Sequence, residues 1–200
     1  MPTIAILPAA GRSTRMGRPK LLLPWRGITL LAHVLGNWRR SAAKAVIVVV
    51  HPEDEEIAKI VRAAGAEAVI APAPPPDMRA SVQLGLRWAA EHCGMEESDA
   101  WLLAPADCPQ ITAPLIDRIA AARNGSPESI VVPVHGRRRG HPVAFPWPLA
   151  AEVEQLGENE GVNALLARHP VVELVVGVPG VLVDLDTPED YRRLGGRPNA

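Results

Sequence analysis

Ile4-Ala-Ile-Leu-Pro-Ala-Ala-Gly-Arg-Ser-Thr-Arg-Met-Gly-Arg-Pro-Lys20 changes character half-way along. Its first four residues are apolar without a break, which predicts a buried strand. Ala9, Ala10 and Gly11 follow, small enough for a ligand to come close to the backbone. Four cations then fall within nine positions: Arg12, Arg15, Arg18 and Lys20. A strand, then small residues, then clustered cations suits a polyphosphate held by backbone N–H groups and neutralised by Lys and Arg. A plain strand-to-loop connection carries the same residue types, so the stretch alone leaves both readings open. Two nucleotide motifs are excluded. The spacing Gly11, Gly17, Lys20 is not that of a P-loop, and no G-x-G-x-x-G occurs.

Outward from this stretch, apolar runs alternate with helical spacing. Residues 29–40 place Leu30, Leu31, Val34, Leu35 and Trp38 on one helical face. Residues 45–50 form an unbroken apolar run rich in β-branched residues, as a strand covered on both faces requires. Helices are expected at 52–64, 80–92, 112–123, 149–156, 161–168 and 188–194, with Thr112 capping the third of these. Strands are expected at 67–71, 100–104, 130–134, 143–145, 171–176 and 181–185. The prolines of 72–76 demand a loop, and 136–140 reads as a basic turn. This alternation predicts an α/β fold, three layers deep (α/β/α), with a mostly parallel, Rossmann-like sheet. No repeat or linker divides the chain, so 1–200 is expected to form a single domain with 194–200 as a frayed tail.

The 200 residues are 48% hydrophobic with a formal net charge of -1. That balance gives no basic surplus for a nucleic-acid partner. No apolar run reaches membrane-spanning length. The opening Met-Pro-Thr-Ile lacks the basic and apolar regions of a signal peptide. A soluble, cytoplasmic protein is the expectation. Two cysteines, Cys93 and Cys108, signal neither a disulfide framework nor a zinc site; Cys108 is expected to fill space. The scattered histidines have no metal-ligand spacing, and no G-x-S-x-G elbow occurs.

Ligands of parallel sheets sit beyond the carboxyl ends of the strands. Two acidic groups fall there besides the cationic loop. Asp107 lies between Pro105 and Pro109, where it either ligates a metal or starts a turn. Asp184 and Asp186 precede Thr187-Pro188, a helix start that needs a capping residue. If 181–185 is extended, Asp184 and Asp186 point the same way. Carboxylates and a cationic loop on one rim suit nucleotide phosphates with Mg²⁺, an ion held by one or two carboxylates plus phosphates.

Residues 7–20 resemble the signature of the MobA-like nucleotidyltransferases. Asp77-Met-Arg-Ala-Ser-Val-Gln-Leu-Gly-Leu86, Pro105-Ala-Asp-Cys-Pro109, Arg139-Gly-His-Pro-Val143 and Val183-Asp-Leu-Asp-Thr-Pro-Glu-Asp-Tyr191 follow in the order of the molybdenum cofactor cytidylyltransferase branch. The resemblance covers 4–194 and implies the nucleotide-diphospho-sugar transferase fold. It implies that Ala9, Ala10, Gly11, Arg12 and Ser13 wrap the nucleotide, that Arg15 and Lys20 neutralise its phosphates, and that Arg79 and Ser81 lie near it. Asp107 and Asp186, with Asp184 beside them, would hold Mg²⁺, Asp107 serving catalysis with Arg15 and Lys20. Gly140, His141 and Pro142 would form the acceptor side. The Ala9-Ala10 pair is similar to the cytidylyl branch, where guanylyl enzymes carry Gly-Gly. The implied reaction passes CMP from CTP to the terminal phosphate of molybdopterin, with release of pyrophosphate. Other readings are another NTP or another phosphorylated acceptor, or a cofactor-binding module that serves a molybdoenzyme partner.

Overall fold

A computed structural model describes residues 1–13 and 16–195. The opening apolar run forms β1 (Thr3–Pro8). Ile4 and Ile6 face one core layer, and Ala5 and Leu7 face the other. That is the two-residue period of a strand covered on both sides. A 3-10 turn, Lys20–Leu22, precedes two short paired strands, β2 (Pro24–Trp25) and β3 (Ile28–Thr29). Helix α1 (Leu30–Arg40) begins where Thr29 Oγ1 accepts the Ala32 N–H at 3.2 Å. Its apolar stripe, including Leu31, Leu35 and Trp38, is buried.

Strand β4 (Ala45–Val50), helix α2 (Glu55–Ala63) and strand β5 (Glu67–Ile70) come next. Helix α2 starts later than the expected residue 52. Instead, His51 to Asp54 make a turn closed by the Asp54 N–H on the His51 carbonyl at 3.0 Å. Helix α3 (Met78–His92) is capped by Asp77, whose Oδ1 accepts the Ala80 N–H at 2.8 Å. It lies close against the sheet because Gly85 has no side chain. A Cβ there would meet Ile6 Cγ2 at 2.9 Å.

The second half runs β6 (Ala100–Leu103), α4 (Ala113–Asn124), β7 (Ile130–His135), β8 (Arg138–Arg139), β9 (Val143–Pro146), α5 (Leu149–Glu154), α6 (Leu165–Arg168), β10 (Val171–Val175) and α7 (Pro188–Arg193). Thr112 stands at the start of α4 with an extended backbone, but its side chain makes no cap bond. The strand order is β10-β7-β9-β6-β1-β4-β5, with β8 on β7. Within this sheet β8 and β9 run antiparallel to their neighbours and the other pairings are parallel, while the separate β2–β3 pair is antiparallel. Helices α1, α2 and α4 cover one face; α3, α5 and α6 cover the other. The three-layer, mostly parallel α/β architecture is therefore as expected. No helix among the described residues is long and apolar enough to cross a membrane.

One expected strand does not form. Residues 181–185 enter a 3-10 turn, Pro179–Leu182, and then an irregular segment. The segment joins neither edge of the sheet, where β10 and β5 have one neighbour each. Its backbone pairs with loops instead. The Val181 carbonyl accepts the His141 N–H at 2.8 Å, and the Leu185 N–H donates to the Asp107 carbonyl at 3.1 Å.

Candidate active site

From β1 the chain steps to β4 and β5 in one direction across the sheet. Helix α3 then carries it back to β6, on the far side of β1. Strand order reverses between β1 and β6, and such a reversal opens a crevice at the carboxyl ends. A cleft of about 580 Å³ lies there.

The residues after β1 form one wall. The Ala9 N–H continues the ladder to the Val49 carbonyl at 2.9 Å. Beyond it, among the described residues, the N–H groups of Ala10, Gly11 and Arg12 make no hydrogen bond. All three residues border the cleft. Small side chains and unpaired N–H groups make a surface suited to anions. Ser13 turns the loop with a left-handed φ of 51°, and its Oγ accepts the Lys20 N–H at 3.2 Å. That bond folds the loop so that Lys20 returns to the cleft. Arg12 Nη2 pairs with Glu53 Oε2 at 2.5 Å on the exposed side. Arg18 is exposed and borders no part of the cleft, while Arg15 lies outside the described residues.

Lys20 is the meeting point. Its ammonium pairs with Asp107 Oδ2 and with Asp186 Oδ1, the latter at 2.9 Å. Burial alone would push the lysine pKa down. The two carboxylates outweigh that and hold it above the ordinary 10.5. Asp107 is held after β6 and is buried; Asp186 is half-buried. The Leu185 bond to the Asp107 backbone locks the two acidic segments together. Thr187 then starts α7 with a capping box, its Oγ1 accepting the Asp190 N–H at 3.1 Å. The cap fixes the residue next to Asp186, so Asp186 and Thr187 take separate roles, one facing the cleft and one capping.

Asp184 also borders the cleft, from its exposed edge. Among the described residues no group of three or more His, Cys, Asp or Glu forms a metal-binding cluster. The donor set fits Mg²⁺ in a different way. Asp107 and Asp186 already converge on one cation, and Mg²⁺ completes its shell with water and substrate phosphates.

Ser81 borders the cleft at the start of α3 and is buried. Arg79 is placed elsewhere. Its guanidinium donates to the Gly157 and Leu156 carbonyls and pairs with Asp77 at 3.2 Å, tying α3 to the loop after α5. Gly140 packs so tightly on the 179–182 turn that a Cβ would collide with the Val181 carbonyl oxygen. The His141 ring lies 3.3 Å from the Leu103 carbonyl, behind Asp107. Burial lowers the His141 pKa, against the Leu103 bond and the pull of Asp107 and Asp184. Gly140, His141 and Pro142 thus stand on the rim at β6 without lining the cleft itself. Cys108 is buried, and burial raises its thiol well above the ordinary value, so it is no thiolate nucleophile.

Sequence reasoning passed over His51. It is buried, follows β4 directly and borders the cleft. Its position just past a buried strand was the available signal, the same one that singled out Asp107.

A family model described as a MobA-like NTP transferase domain matches residues 5–173. The chain belongs to the MobA-like NTP transferase family. This MobA-like chain is similar to the molybdenum cofactor cytidylyltransferase of Escherichia coli (strain K12), at 23% identity over 187 residues, 93% of this chain and 92% of that protein. It resembles the crystal structure of Rv0371c from Mycobacterium tuberculosis H37Rv with a TM-score of 0.78 and 31% identity, covering 97% of each chain. A complex of that mycobacterial protein with manganese matches with a TM-score of 0.75 and 30% identity, over 97% of this chain and 98% of the other. The fold is also shared with 4-diphosphocytidyl-2C-methyl-D-erythritol synthase, at a TM-score of 0.75 and 19% identity, over 96% of this chain and 97% of that one. The MobA-like chain is a nucleotidyltransferase, and its sheet and layers are those of the nucleotide-diphospho-sugar transferase fold.

Proposed function

We propose that this chain transfers CMP from CTP to the terminal phosphate of molybdopterin and releases pyrophosphate, using Mg²⁺. The observation that carries the proposal is the meeting of Lys20 with Asp107 and Asp186 beside the unpaired N–H groups of Ala10, Gly11 and Arg12. Those N–H groups receive the triphosphate. Asp107 and Asp186, with Asp184 beside them, would hold Mg²⁺, which would supply charge neutralisation on the phosphates. Lys20 meets the charge growing on the departing pyrophosphate.

An oxygen of the acceptor phosphate forms the new bond to the α-phosphorus, and the bond from the α-phosphorus to the bridging oxygen of pyrophosphate breaks. A phosphate monoester has a second pKa of about 6, so the attacking oxygen is already ionised at neutral pH. The cleft therefore needs no general base. Positioning and charge neutralisation are left to do the work.

CTP and molybdopterin are supported by the Ala9-Ala10 pair and by the likeness to the Escherichia coli cytidylyltransferase. Pyrophosphate release, measured with each NTP with and without molybdopterin, tests the reading. Release that requires CTP and molybdopterin together is the expected result. Release only with another NTP, or only with a sugar or alcohol phosphate, would assign a different substrate. Nucleotide binding without turnover on any acceptor would make the chain a binding module.

A further inference from the structure

His51 is the one buried histidine on the cleft wall, and no step of the reaction above uses it. Its surroundings fix its hydrogen. Nδ1 accepts the backbone N–H of Glu53 at 3.2 Å, so the proton of the neutral ring sits on Nε2. The Asp54 N–H on the His51 carbonyl closes the same turn, which holds the ring in place. Among the described residues Nε2 has no hydrogen-bond partner, although it is buried. A buried donor without a partner is costly, and native proteins leave few of them.

Its position says what kind of partner is missing. Asp107 and Asp186 lie on the β6 side of β1, and His51 lies on the β4 side. A triphosphate bound to the N–H groups after β1 and gripped at the acidic end directs its nucleoside toward β4. There the cleft is walled by Pro74, Pro75, Pro76 and Met78, apolar surfaces that suit the faces of a base, and by Asp77, whose carboxylate is taken up by the Ala80 N–H and Arg79. His51 is a polar group on that apolar wall.

We infer that His51 Nε2–H donates a hydrogen bond to an oxygen acceptor on the nucleoside of the bound nucleotide, making His51 a determinant of nucleotide affinity. The inference rests on the nucleotidyltransferase reading. A donor with a fixed tautomer accepts no proton from the ligand and rewards only an acceptor at that point. Inorganic tripolyphosphate, which offers the phosphates without a nucleoside, gains nothing from it.

The test is calorimetric titration of CTP and of inorganic tripolyphosphate into wild-type protein, His51→Phe and His51→Gln. His51→Phe is expected to weaken CTP about tenfold, the effect of one buried hydrogen bond with its partner left unpaired. Tripolyphosphate affinity should stay within about twofold. His51→Gln, which places an amide N–H near the former Nε2, should recover most of the CTP affinity. Unchanged CTP affinity in His51→Phe, or an equal loss for CTP and tripolyphosphate, would overturn the inference. Should His51→Phe fail to fold, ¹⁵N spectra of the wild-type imidazoles give the same answer. CTP should shift the His51 Nε2–H resonance and tripolyphosphate should not; saturation with CTP without that shift overturns the inference. Wild-type protein that binds neither ligand contradicts the nucleotidyltransferase reading as well, whereas CTP binding indifferent to His51 contradicts this inference alone.

Discussion

Lys20 Nζ lies 2.9 Å from Asp186 Oδ1, joining residues 166 positions apart in sequence. The same ammonium holds Asp107. A cationic loop from the first strand and two acidic loops from the second half of the chain therefore share one charge. The two carboxylates present their oxygens to a cation, which is also what a divalent metal requires.

A metal that uses these oxygens competes with Lys20 for them. Lys20→Met keeps the stem and removes the charge. In the absence of nucleotide, this variant should bind Mn²⁺ several-fold more tightly than wild type, read by electron spin resonance. Its kcat should fall by about 10²- to 10³-fold, because the lost charge faces the growing charge on pyrophosphate. A change confined to KM would remove Lys20 from that role.

The raised pKa of Lys20 has a consequence at alkaline pH. A lysine whose folded value exceeds its unfolded value lends stability in full below the unfolded value, near 10.5, and loses it as pH rises through the folded value. The stability difference between wild type and Lys20→Met should be flat from neutral pH to about 10 and shrink above it. Denaturant unfolding across that range checks this. A difference that shrinks on acidification, before the carboxylates protonate, would contradict the pairing.

Asp107→Asn keeps the shape of the loop, because the Asp107 carbonyl still accepts the Leu185 N–H. Circular dichroism should be unchanged. Turnover should fall by about 10³-fold or more, with a weakened response to metal. Asp184→Asn, at the exposed edge, should cost less. Normal turnover in Asp107→Asn would take that carboxylate out of the chemistry.

Thr187→Ala removes the capping box that starts α7 directly after Asp186. The expected cost is about 1 kcal/mol of stability, within the usual range for a lost N-cap. The Asp190 carboxyl, held below its ordinary value by hydrogen bonds from Thr187 and Arg193, should titrate closer to that value. Metal affinity should fall with it, because Asp186 is then less firmly placed. A thermal melt and a metal titration on the same sample read both effects.

The sequence disclosed the fold through unbroken apolar runs at 4–7, 45–50 and 100–104, which have to be strands covered on both faces. It pointed to the candidate site through position, since Asp107 follows the run at 100–104 and Lys20 ends the loop that begins after the run at 4–7. It failed at 181–185. There the β-branched residues read as a strand, whereas their backbone bonds to the loops at His141 and Asp107, partners that a local pattern does not reveal. Composition could not show that Arg79 binds the Gly157 and Leu156 carbonyls, because such bonds depend on which loops meet. His51 was visible as a residue past a strand, but nothing in a single histidine tells a ligand donor from a packed side chain. The unpartnered Nε2 of a residue that borders the cleft is the observation that motivates the nucleoside contact inferred above.

Convergence of the three charged residues on one nucleotide is tested most directly by pulsed electron spin resonance on Mn²⁺ with CTP bound. The account predicts ³¹P coupling to Mn²⁺ in wild-type protein and loss of the protein-bound signal in the double variant Asp107→Asn, Asp186→Asn. Protein-bound Mn²⁺ of undiminished affinity in that double variant, with the same ³¹P coupling, would contradict it.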